Sequence, residues 1–174
     1  MDVVQLSQNT LRIKGKNASI VVNPTISISK TEADAIVLLS SYVDQSFAKI
    51  EGSRIIVQGP GEYEINGVKI STTRVNQDLV ARIEIDGLKL LVGSGSLIEQ
   101  IQDKIEECEI GVINADNNFN YSVLTSLEPS VLIIYGQKKE EAVKSLGKDT
   151  SIKFSKYSTT ADKLPEEMEV ILLG

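Results

Sequence analysis

The chain has 174 residues, 41% hydrophobic and 24% charged, which is ordinary globular usage for one compact domain over 1–174. A net charge of −6 with scattered lysines and arginines argues against nucleic acid, since phosphate binding needs clustered positive charge. No apolar run approaches the roughly 20 residues of a membrane span, and Met1–Asn9 has no signal-peptide pattern, so the expectation is a cytoplasmic protein off the membrane. The single cysteine and the absence of histidine exclude an internal disulfide and an imidazole-liganded metal.

In chain order, Leu11–Lys14 and Ser19–Val22 predict two strands around a turn at Lys16-Asn17. The apolar runs Ala35–Leu39 and Ile55–Val57 read as strands buried on both faces. Glu62–Ile65 and Val68–Thr72 flank Asn66-Gly67, and Arg82–Ile85 and Leu88–Val92 flank Asp86-Gly87. Both dipeptides are hairpin signals, because a type I′ turn needs positive φ at its two central residues. Ser96–Glu107 predicts a helix with a Ser96/Glu99 capping box and an apolar stripe of Leu97, Ile101 and Ile105. Ile110–Ile113 and Val131–Tyr135 are further buried strands, and Tyr121–Leu127 and Lys138–Leu146 are short helices. Lys138 to Lys144 reads as a solvated helix face laced with Glu140 and Glu141.

The halves echo one another. Arg12-Ile13 and Arg82-Ile83 open hairpins that reach Val22 and Val92, a buried strand follows each, and a third strand ends at Gly59 and at Gly136. This order predicts two β-rich halves stacked sheet on sheet, with helices outside.

The stretch Gly59-Pro60-Gly61-Glu62-Tyr63-Glu64-Ile65-Asn66-Gly67 resembles a signature of the metallo-β-lactamase superfamily, in the branch of ascorbate-phosphate lactonase-like hydrolases. The context is similar throughout, from the strand end Asn23-Pro24 to the late strand Val131–Ile134. The resemblance implies an α/β fold, the αβ/βα four-layer sandwich of two mixed sheets, with a metal site at one sheet edge. The family's H-x-H-x-D-H motif would fall on Ser40, Tyr42, Asp44 and Gln45, the bridging aspartate on Ser94, a histidine near Arg74–Asn76, and the last histidine near Tyr135-Gly136. Only Asp44 keeps a ligand type, and one carboxylate does not hold zinc tightly.

The expectation is therefore a non-catalytic relative without metal or other cofactor, kept as an interaction, regulatory or small-ligand-binding domain. Ser40, Tyr42, Asp44, Gln45, Glu62 and Ser94 are the candidate vestigial pocket. The partner is an unidentified protein or a small polar ligand, and an exposed strand edge leaves room for a homo-oligomer. The competing expectation is a divergent hydrolase of phosphodiesters or lactones, using a carboxylate-bound metal or metal-free chemistry.

Other features have simpler accounts. Gly93-Ser94-Gly95-Ser96 is a turn into a helix before it is an anion site. The oxygen-rich Asn114–Asn120 lacks calcium-loop spacing, and its Asn and Asp residues serve turns and caps. Cys108, among glutamates, is a small apolar residue rather than a nucleophile.

Overall fold

The computed structural model describes residues 1–41, 45–115, 120–149 and 152–174. The first half holds β1 (Asp2–Ser7), β2 (Thr10–Lys14), β3 (Ser19–Val22), β4 (Thr31–Glu32), β5 (Ala35–Val37), β6 (Ile50–Glu51) and β7 (Ile55–Val57). The second holds β8 (Gly61–Ile65), β9 (Val68–Val75), β10 (Asp78–Ile85), β11 (Leu88–Ser94), α1 (Gly95–Ile101), β12 (Ile110–Asn114), α2 (Ser122–Ser126), β13 (Val131–Tyr135), α3 (Lys139–Ser145), β14 (Lys156–Ser158) and β15 (Glu169–Leu172). The first sheet runs β14-β1-β2-β3-β5-β7, the second β15-β13-β12-β11-β10-β9-β8, and β4 pairs with β6 apart from both.

The echo between the halves is structural. Strand β2 pairs antiparallel with β3, and β3 and β5 continue in parallel to β5 and β7. Strands β10, β11, β12 and β13 repeat that order. The register matches too: Arg12 faces Val21 across its hairpin, and Arg82 faces Leu91 across the other. Strand β14 crosses back to the first sheet and pairs with β1, tying the late chain to the first strand.

Apolar side chains alternate into two layers, as a pleated strand requires. Leu11, Ile13, Ile20, Val22 and Val37 meet Ile83, Leu90, Val92, Val112 and Ile133 between the sheets. On the outer side of the second sheet, Leu91, Ile113, Leu132 and Ile134 pack under Ile98, Leu124 and Val143 of the three helices. Strands β12 and β13 are therefore buried at every residue, which explains their unbroken apolar runs. Both predicted hairpin turns form, with φ of 49° and 82° at Asn66-Gly67 and 53° and 78° at Asp86-Gly87.

Three readings of the sequence change. The helix after β11 starts at Gly95 and gives way after Ile101 to a single 3₁₀ turn, Gln102–Lys104. Its cap position is Ser94, and no capping box forms because Ser96 already lies inside the helix. The run Ile55–Val57 is buried on one face only, and Ile56 is 43% exposed. That strand is a sheet edge, and connections 23–34 and 38–54 carry no helix among the described residues to cover its outer face. Lys139 is not part of a solvated face: its Nζ donates to the Leu173 carbonyl at 2.6 Å, and burial lowers its pKa.

Candidate functional site

The C-terminal ends of the parallel strands converge where an α/β sheet usually keeps its ligand site. Asn23 follows β3, Leu39 and Ser40 follow β5, Ser94 ends β11, Asn114 ends β12 and Tyr135 ends β13. With Asp78 and Leu79 of β10, these residues enclose a cavity of about 20 Å³. That volume holds about one water molecule.

Two polar side chains fix the first half of this site. Asn23 adopts φ of 48°, which asparagine tolerates better than most residues. Its Oδ1 accepts the Leu39 N–H at 2.7 Å and the Ser40 N–H at 3.2 Å. Asp78 Oδ1 accepts from the Ser41 N–H and the Ser41 hydroxyl, each at 2.8 Å. The chain leaving β5 is thus held by protein groups at three consecutive residues. Gln45 Nε2 donates to the Ser40 carbonyl at 2.6 Å. Gln45 and Ser41 line a hollow of about 210 Å³ outside the cavity, beside Arg74.

The second half closes over itself. Asn114 is 7% exposed, and its Oδ1 has no hydrogen-bond partner among the described residues. A Cβ at position 136 would lie 2.0 Å from that oxygen, and Gly136 has φ of 99°. The Asn114 amide therefore occupies the space that any side chain after β13 would need. Ser94 Oγ lies 2.9 Å from Ser96 Oγ, in hydrogen-bond contact within the first turn of the helix.

Of the predicted pocket residues, Ser40 and Ser94 come together in the cavity and Gln45 stands beside it. Tyr42 and Asp44 lie outside the described residues. Glu62 is elsewhere, on exposed edge strand β8, where it shares a groove with Glu64, Arg82 and Glu106 on the outer side of the second sheet. Alternation sends Tyr63 inward and Glu62 outward, so the stretch that resembles the family signature is structural. Tyr63 Oη donates to the Gly59 carbonyl at 3.1 Å, and Thr72 Oγ1 donates to the same carbonyl at 2.7 Å, clasping the crossing between sheets.

Sequence reading missed Asn23, Asp78 and Asn114 as site residues. The Asn-Pro strand end marked the first, and Asn114 stood in a segment weighed for a different role. Residues 116–119 of that segment lie outside the described residues, and Asn120, just before α2, accepts the Ser122 N–H on its Oδ1 at 3.1 Å. Cys108 is buried, and desolvation, with Glu109 next, pushes its thiol up to about 11.

The donors around the cavity are oxygens of Asn, Ser, Asp and Tyr, with no imidazole or thiolate, and Arg74 adds positive charge at the hollow outside. No group of three or more His, Cys, Asp or Glu side chains among the described residues is placed to hold a metal ion. This set does not fit the zinc that the resemblance in sequence implies.

No protein-family model matches the sequence, and no curated protein matches it significantly. Solved structures do match. A candidate Zn-dependent hydrolase of the metallo-β-lactamase superfamily from Thermotoga maritima aligns over 99% of this chain and 98% of its own, at 18% identity and a TM-score of 0.77. A candidate metal-dependent hydrolase from Parabacteroides distasonis aligns over 99% and 93%, at 16% identity and a TM-score of 0.65. An isothiocyanate hydrolase from Delia radicum gut bacteria aligns over 92% and 100%, at 12% identity and a TM-score of 0.63. Two mixed sheets in this order, a site at the parallel-strand ends and full-length alignment to these hydrolases give the chain the metallo-β-lactamase fold.

Proposed function

We propose that this protein is a metal-free, non-catalytic domain of the metallo-β-lactamase fold, acting in the cytoplasm as an interaction, regulatory or small-ligand-binding unit. The observation that carries the reading is Asn114. Its amide fills the space above Gly136, and the cavity between the strand ends is about 20 Å³, too small for a phosphodiester or lactone, which leaves a ligand only the open hollow of about 210 Å³ outside it. The start of the loop after β5 is held by hydrogen bonds from Leu39, Ser40 and Ser41 to Asn23 and Asp78. A catalytic zinc needs at least three protein ligands, and no such set stands together among the described residues.

No described helix is long and apolar enough to cross a membrane. The deciding experiment is metal analysis of protein purified without chelator, combined with turnover assays on a phosphodiester and a lactone. The expected result is substoichiometric metal and no turnover. Stoichiometric zinc or manganese accompanied by hydrolysis would overturn the reading in favour of a divergent hydrolase. Sizing across a dilution series tests whether the domain acts as an oligomer.

A further inference from the structure

The basic residues look scattered in sequence, yet folding gathers five of them. Arg12 and Lys14 alternate along β2 and so leave the sheet on its outer face, opposite the inward Leu11 and Ile13. Lys16 follows in the turn, Lys30 precedes β4 and Arg54 precedes β7, and all five line one groove of about 530 Å³. Ser19, Asp34 and Arg54 place it at the starting ends of β3, β5 and β7, the end of the sandwich away from the Ser40 cavity.

Of the three carboxylates that line the groove, Asp34 and Glu51 are committed, while Glu32 is exposed and makes no ion pair among the described residues. Asp34 accepts the Ser19 N–H at 2.9 Å and the Asn66 amide at 3.0 Å, one on each oxygen. Glu51 is paired with Lys30. Asp86, beside the groove, accepts the Lys16 N–H at 3.1 Å on both oxygens. Arg12, Lys14 and Arg54 make no side-chain ion pair among the described residues, while Lys16 lies in the field of Asp162.

Arg12 is the telling residue. It is partly buried, and its Nε is shut from solvent without an acceptor among the described residues. Its counterpart in the second half, Arg82, has an Nε shut away in the same manner, but its guanidinium is ion-paired with Glu84 and Glu106. What sets Arg12 apart is the missing ion pair: among the described residues no carboxylate pairs with its guanidinium, and the guanidinium fork takes an oxyanion through paired N–H bonds.

We infer that the groove of Arg12, Lys14 and Arg54 binds a small multivalent oxyanion, a phosphate ester or a polycarboxylate. The site is independent of the metal question, so it stands even if the Ser40 cavity proves catalytic.

Calorimetric titration of the intact protein with inorganic pyrophosphate and with citrate, at low ionic strength, tests it. Saturable binding of at least one is expected, and the tighter of the two identifies the source of the oxyanion. Arg12→Gln should weaken binding about tenfold or more, and so should Lys14→Gln combined with Arg54→Gln, which keeps the test open if the first variant fails to fold. Lys69→Gln, in the groove on the other sheet, should leave affinity unchanged. Absence of saturation with both anions, or binding that survives both sets of substitutions, overturns the proposal.

Discussion

Strands β2, β3, β5 and β7 and strands β10, β11, β12 and β13 repeat one pairing order, yet they are covered differently. Helices lie over the second set, where Ile98, Leu124 and Val143 form a second apolar layer. Over the first set run irregular connections and the short β4–β6 ladder, with Ile28 buried and Ile26 exposed. The charge on the two outer faces also differs. The groove on the first carries five basic and three acidic residues, whereas Glu62, Glu64, Glu84 and Glu106 outnumber Lys69 and Arg82 in the groove on the second. A shared strand scaffold therefore fixes where ligands can sit without fixing which ligands they are.

The sharpest break of this comparison is at the glycines that follow the third strand of each half. Gly136→Ala combines a positive φ with collision against Asn114 and the Ala115 backbone, and should cost about 4 kcal/mol in chemical denaturation. Gly59→Ala meets nothing nearer than Tyr63 Oη at 3.8 Å and should stay within about 0.5 kcal/mol. Equal losses at the two positions would refute the view that only the second half is plugged.

The outer layers give a smaller contrast. Ile98→Ala, on the fully buried side of α1, should cost about 3 kcal/mol by equilibrium unfolding. Ile28→Ala should cost nearer 2 kcal/mol, since a loop collapses into the space more readily than a helix. Asn23→Ala frees the Leu39 and Ser40 N–H groups and should cost about 2 kcal/mol, with loss of amide exchange protection confined to the loop after β5.

The smallest effect is invisible at neutral pH. The Cys108 thiol is raised to about 11 in the folded chain, so the unfolded chain loses this proton first as pH rises. Folded stability should fall between about pH 9 and 11 for this reason, and Cys108→Ala should flatten that limb. At pH 8 a thiol reagent should label the native protein far more slowly than the denatured one.

Much of this architecture was legible because its signals are local. Asn66-Gly67 and Asp86-Gly87 announce their turns, and β12 and β13 read as buried because both faces are covered. Ile55–Val57 misled for the converse reason: an apolar run does not say whether a layer exists to bury it. The site was half legible. Ser40 and Ser94 could be placed by resemblance, but the plug of Asn114 over Gly136 joins two strand ends that no spacing rule connects. The groove was missed because its charges come from segments as far apart as Arg12 and Arg54.

The pairing of β1 with β14, Asp2 opposite Ser158, also bears on how the chain is made. On a ribosome the hydrogen-bonding edge of the first strand stays open until residues 156–158 have emerged. A nascent chain arrested before residue 156 would present that edge to any extended segment nearby, so synthesis speed through the second half governs how long the exposure lasts.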